Sequence, residues 1–286
     1  MRSVWHFWLI RCLAALLVVV LPLAGRADET TPAEQMTLAD DPFEITDPHS
    51  AGPGAAELSI VGIYERARRG GYRNTFALDT ELQMGVVRNL EIRIGSLGAY
   101  GNLDTRGRPA TSSSSGGTDT NRPAWGGATR LGALYQISDG TGVLPVASIL
   151  GRVRTVYGPG TPSHEGDVVA LLAKTLGTGP RAIGINLNVG WTTRFNPMLG
   201  ERPNLYSFTA AIGQSISMNS AVVLAYARRQ QERHERDFSL VQIGLRYRML
   251  NDGPILGFSV GAGTTRDTPA VQLSLAAQWS FGGPPR

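Results

Sequence analysis

The 286-residue chain has one cysteine, one lysine and very few histidines. The cysteine, Cys12, lies in the N-terminal segment, so a chain starting near Asp28 has no thiol, disulfide or thiolate metal site. Its stability must then come from backbone pairing and packing, which suits a protein that crosses an oxidising compartment before folding. No cysteine begins the expected mature chain, so no lipoprotein anchor is expected. Beyond the N-terminal segment the histidines are His49, His164 and His234, expected in a leader or in loops. No two of them have metal-ligand spacing, and no Gly-x-Ser-x-Gly elbow is present. The expectation is therefore no enzyme and no cofactor. With Lys174 the single lysine, the basic residues are arginines, which keep their charge when desolvated and offer a fork of donors.

Residues 1–27 have the order of a secretory signal peptide: Arg2 and Arg11, an apolar stretch over 13–23, then a small-residue site. The apolar stretch is too short for a good membrane-spanning helix, and no later one approaches about twenty residues. Removing Arg2, Arg11 and Arg26 brings the formal charge from +4 to about +1. Residues 28–54 carry only acids, among them Glu44 and Asp47, and read as a periplasmic or lumen-entering leader. The charged run 230–237 mixes three acids with its bases, which argues against nucleic acid. It is expected to meet solvent and lipopolysaccharide phosphates.

From residue 55 onward the chain alternates apolar and polar with period two, broken by turn residues. Residues 182–195 are the clearest case, with Ile183, Ile185, Leu187, Val189 and Trp191 opposing Asn186, Asn188, Thr192 and Arg194. Twelve segments follow the pattern: 55–68, 74–87, 90–103, 124–138, 144–157, 166–177, 181–195, 205–218, 221–232, 237–249, 255–265 and 270–281. Charges in mid-strand would not be tolerated in a sandwich core. Connections after even-numbered segments are short and those after odd-numbered ones mostly longer, as outer-membrane barrels require. The expected fold is all-β: one transmembrane antiparallel up-and-down β-barrel of about 12 strands over residues 55–286, following the leader. The segment least clear in its facing is the sixth, where residues 168–172 are apolar on both faces. The last segment ends with Trp279 and Phe281 on its apolar face. That ending is similar to the C-terminal signal of bacterial outer-membrane proteins, which implies recognition by the barrel-assembly machinery.

Parity assigns side chains to the two faces of the wall. Arg93, Arg130, Arg152, Arg154, Lys174, Arg194, Arg246 and Arg248 are expected in the lumen, with Asp79, Glu81 and Glu91. Such a lumen either attracts small anions by focusing its field or braces the barrel by pairing its own charges. Tyr100, Tyr135, Tyr157, Trp191, Phe195, Tyr247, Trp279 and Phe281 are expected outside, as interfacial girdles in outer-membrane lipid. The loop 104–123 contains a Ser/Gly-rich tract over 111–118 and is expected to be mobile.

Residues 45–54 (ITDPHSAGPG) lead directly into the first strand, AELSI over 56–60. This opening resembles that of the outer-membrane β-barrel transporter family linked to the meta-pathway of phenol degradation, in which a Thr-Asp element and a Pro-Gly pair precede the first strand. The resemblance covers residues 40–281. It departs at Pro48 and His49, where the family usually has a second acid. It implies passage of small, often aromatic, organic solutes across the outer membrane. The alternative function is a structural or surface-interaction barrel that does not conduct.

Overall fold

A computed structural model describes residues 42–104, 106–107, 122–177, 181–249 and 253–282. It contains β1 (Ala56–Arg66), β2 (Asn74–Val87), β3 (Leu90–Gly101), β4 (Ala124–Asp139), β5 (Val146–Tyr157) and β6 (Ser163–Leu176). These are followed by β7 (Ile183–Arg194), β8 (Asn204–Ser217), β9 (Ser220–Arg229), β10 (Phe238–Arg248), β11 (Ile255–Gly263) and β12 (Val271–Phe281). Each strand pairs antiparallel with the next, and β1 closes on β12. Closure leaves no edge strand, the condition for placing a sheet in hydrocarbon. Residues 1–27, the leader before residue 42, the tract 111–118 and residues 283–286 lie outside the described residues.

Period-two alternation separates the two faces along each strand. On β7, Asn186, Asn188 and Arg194 are buried inside, while Ile185, Val189 and Trp191 are exposed outside. The turn 88–89 joins β2 to β3 tightly because Asn89 adopts φ 67°, a conformation asparagine tolerates better than most residues. The wide connections 67–73, 102–123, 195–203 and 230–237 gather at the opposite end. This end is the extracellular one if the chain termini of the barrel face the periplasm, as in barrels of this class.

Residues 42–54 of the leader lie inside the barrel. Walking back from residue 54 to 42, the segment meets the inner wall strand after strand. Gly54 N donates to Gly85 O on β2 at 3.0 Å. Ala51 N donates to Glu91 on β3, Ser50 N to Gln136 on β4, and Ser148 Oγ on β5 to Pro48 O. Asn188 on β7 donates to Thr46 O, Glu44 N to Gln242 on β10, and Ser259 on β11 to Pro42 O. Small residues make the room. A Cβ on Gly85 would come within 2.0 Å of Gly52 O, and one on Gly244 within 2.9 Å of the Phe43 ring. Phe43 and Ile45 pack on Ala211, Val223 and Ala225, giving the leader an apolar seat as well as polar ties.

Beside the leader, level with Glu91 and Ser148, Leu134, Leu150 and Leu171 form an inward cluster, each no more than 2 % exposed. Below the leader, past its contact with Gln242, Arg246, Arg248, Gln278 and Glu57 are buried in the lumen.

Candidate functional site: a charged cavity above the leader

Above the leader, a cavity of about 950 Å³ extends to the extracellular loops. Its floor is residues 43–46, and its mouth includes Met198, Leu199, His234 and Arg266. One wall, β2 to β7, is a ladder of ion pairs. Arg93 reaches Glu91 at 2.6 Å and Glu81 at 3.6 Å. Arg130 binds Glu81 at 2.6 Å and Asp79 at 2.8 Å. Across the next strands Arg152 reaches Asp167 at 3.0 Å, and Arg154 reaches Glu165 at 2.7 Å. Arg194 binds Glu165 at 3.1 Å and Glu232 at 2.6 Å. Register produces this arrangement, because Arg152 lies opposite Asp167 and Arg154 opposite Glu165. The facing wall mixes the neutral Leu205, Thr209, Phe238 and Gln272 with Glu65 and Arg229.

At the floor, Glu44 ties the leader to that side. Its carboxylate accepts from Arg229 Nη2 at 2.6 Å and from Gln272 Nε2 at 3.3 Å. At the mouth, Arg106 is 1 % exposed and donates to both oxygens of Glu201, at 3.0 and 2.7 Å. It also donates to the carbonyls of Thr161, Pro162 and Asn196, which locks three loops together.

The structure puts Arg93, Arg130, Arg152, Arg154, Arg194, Asp79 and Glu81 in the cavity wall. Glu91, Arg246 and Arg248 also face inward but are buried outside the cavity lining, Glu91 under the leader. Arg246 Nη2 donates to Gln278 at 2.7 Å.

Lys174 is a correction. It projects from the outer side of β6, where its Nζ donates to the carbonyls of Gly142 and Leu144 in the turn below. The apolar stretch 168–172 hid the facing of β6. Glu165 and Asp167 set it, since both odd-numbered acids point inward and so carry even-numbered Lys174 outward. Neither acid is among the sequence-derived candidates: Glu165 falls just outside the sixth segment, 166–177, and Asp167 falls inside it beside the apolar stretch whose facing is unclear. A search for acids opposite Arg152 and Arg154 would have found both.

Two further expectations shift. His164 is in β6, on its outer face, and does not belong to a loop. The run 230–237 turns inward, so that Glu232 accepts from Arg194 and from Arg202 N. The outer aromatics Tyr100, Tyr135, Tyr157, Trp191, Phe195 and Tyr247 are exposed or partly exposed on the outer face, as are Trp279 and Phe281 at the end of β12. Trp125 belongs with them: its ring lies 4.7 Å from that of Tyr100 and it is 74 % exposed. Sitting at the start of β4, beside a loop, it showed too little alternation to be recognised.

No protein-family model and no curated protein matches the sequence. Solved structures do. An outer-membrane channel from Pseudomonas putida F1 is similar at 10% identity, covering 84% of this chain and 100% of that one, with a TM-score of 0.56. Looser likenesses, both at 10% identity, include the KdgM porin and the translocator domain of the autotransporter NalP from Neisseria meningitidis. Their TM-scores are 0.45 and 0.46; they cover 79% and 82% of this chain, and 99% and 90% of their own. At such identities the likeness is one of fold. With its closed sheet and apolar outer face, the chain has the architecture of a twelve-stranded β-barrel of the bacterial outer membrane.

Proposed function

We propose that this barrel is an outer-membrane channel or facilitator for small organic molecules, which enter the cavity from outside and pass when the leader moves. The observation that carries this reading is the cavity itself, about 950 Å³ under the loops and floored by a segment that is not part of the wall. A segment held by scattered contacts to many strands, and not by a strand ladder, can leave its seat without breaking the sheet.

The charge of the cavity favours neutral or weakly polar cargo over small anions. The arginines that line it on β4 to β7 already contact carboxylates, so little net field is left for an incoming anion. Leu199 at the mouth and Phe43 at the floor suit a compact apolar or aromatic body. The resemblance of residues 45–54 to the phenol-linked family is in keeping with that class. Trp279 and Phe281 at the end of β12 would be read by the barrel-assembly machinery.

A second reading, a structural barrel that conducts nothing, is favoured by the buried Arg246, Arg248, Gln278 and Glu57 below the leader. Single-channel recording in planar bilayers decides between them. The mature chain should conduct rarely, and a chain lacking residues 42–52 should give stable steps. A correctly folded deletion that stays silent would overturn the channel reading.

A further inference from the structure

The acids of the ladder all contact arginines, whereas the facing wall holds one that does not. Glu65 lies near the extracellular end of β1 and lines the cavity, directly opposite Gln272 on β12 in the register. It makes no ion pair among the described residues, and its Oε2 is buried without a hydrogen-bond partner. Gln272 is 2 % exposed and lines the same cavity; its Oε1 is buried and unpartnered as well.

The Gln272 amide cannot turn to help. Its Nε2 donates to Glu44 Oε1 at 3.3 Å, and a flip would set the amide oxygen against that carboxylate. Side chains directly opposite in an antiparallel pair have Cβ atoms about 5 Å apart. Two acceptors therefore stand side by side, and neither can donate to the other. Buried acceptors in that state are costly unless a donor comes from outside the wall.

The balance of charge says that this donor is positive. The charged groups that act on Glu65 are Glu44 and Arg229. Arg229 is committed to Glu44 Oε2 at 2.6 Å, and its guanidinium lies 4.6 Å over the Phe238 ring. Two carboxylates thus share one guanidinium, and the excess negative charge falls on Glu65. Arg68, also in the lining, is turned to the carbonyl of Gly263.

We propose that Glu65 and Gln272 bind the protonated amine of a small organic cation, whose apolar body lies against Ile63, Phe43 and Leu205 in the same cavity. This deepens the channel reading, on which it rests, by giving the compact apolar cargo one cationic nitrogen. An alkylammonium carries three N–H donors, enough for both open acceptors and a water. A metal ion fits less well. Both oxygens of Glu44 are engaged, and what Glu65 and Gln272 offer falls well short of the about six oxygens that a hard cation takes. A neutral alcohol can serve one acceptor but leaves the charge of Glu65 unanswered.

Isothermal titration calorimetry of the full mature barrel tests this at about pH 8, where carboxylates are ionised and an aliphatic amine keeps its proton. The probes are phenethylamine and its neutral counterpart, phenethyl alcohol. The wild type should bind the amine about ten-fold more tightly than the alcohol, the worth of one charge-assisted hydrogen bond. E65Q should lose that preference and hold the alcohol as the wild type does. If E65Q does not fold, as read by heat-dependent gel mobility, E65D takes its place: the shorter acid should weaken amine binding and leave the alcohol unchanged. Equal binding of the two probes, binding of neither, or an amine preference that survives these variants would each overturn the site. A barrel that prefers the amine but stays silent in bilayers with its leader deleted would keep the site and overturn only the channel.

Discussion

Glu91 and Ala51 fasten the leader to the wall: the buried carboxylate accepts from the Ala51 N–H at 2.5 Å and, through its other oxygen, from Arg93 Nε at 2.6 Å. Glu91→Ala should release both donors at once, leaving Arg93 with Glu81 as its remaining carboxylate contact among the ion pairs described here. Breaking a buried pair from one side costs about 3–5 kcal/mol. Urea unfolding of the refolded barrel should show a loss of that order, together with faster proteolysis of the leader.

Glu165 is shared by Arg154 and Arg194 and is 2 % exposed. Glu165→Ala should therefore lower stability by about 3–5 kcal/mol as well. Asp237→Ala removes a pair whose Arg228 side chain is 60 % exposed and screened by water, and should cost far less. Equal losses for the two variants would argue against the ladder as a brace.

Selectivity should follow the balance of the ladder. With the leader deleted, the reversal potential in a salt gradient should stay near zero. Adding R152Q/R154Q leaves Asp167 without its two arginine contacts and Glu165 with Arg194 alone, and should turn the pore cation-selective. A pore that turns anion-selective instead would contradict the pairing described here.

Gly85→Val should lift the leader, because its Cβ position lies 2.0 Å from Gly52 O and 2.4 Å from Ala51 O. A cysteine in place of Ser50 should then react with a maleimide faster than in the Gly85 background. Gly151→Val, where nothing lies within 4 Å of the added Cβ, should leave that rate unchanged.

Much of the barrel was legible in the sequence because lipid and lumen impose opposite chemistries on successive residues. That made β7 readable from Ile183 to Arg194. Where both faces are apolar the signal disappears, which is why the facing of β6, and with it Lys174, was misread. The pairing of Arg152 with Asp167 was not legible, since it depends on register between strands rather than on either strand alone. The inward position of residues 42–54 was not legible for the same reason. A polar, Pro- and Gly-rich stretch suits both a periplasmic tether and a lumen lining, and only Gly85 and Gly244 on the wall mark where it lies.

The leader's hydrogen bonds fall on β2, β3, β4, β5, β7, β10 and β11 in turn, with Glu44 adding side-chain ties to β9 and β12. A strip that visits most of the circumference acts as an inner hoop, holding the cross-section round against lateral pressure from the bilayer. Gating and mechanical stiffness are then set by the same dozen residues. Whatever moves them to open a passage also lets the barrel flatten, so the shape of the open pore should depend on how tightly the surrounding membrane is packed.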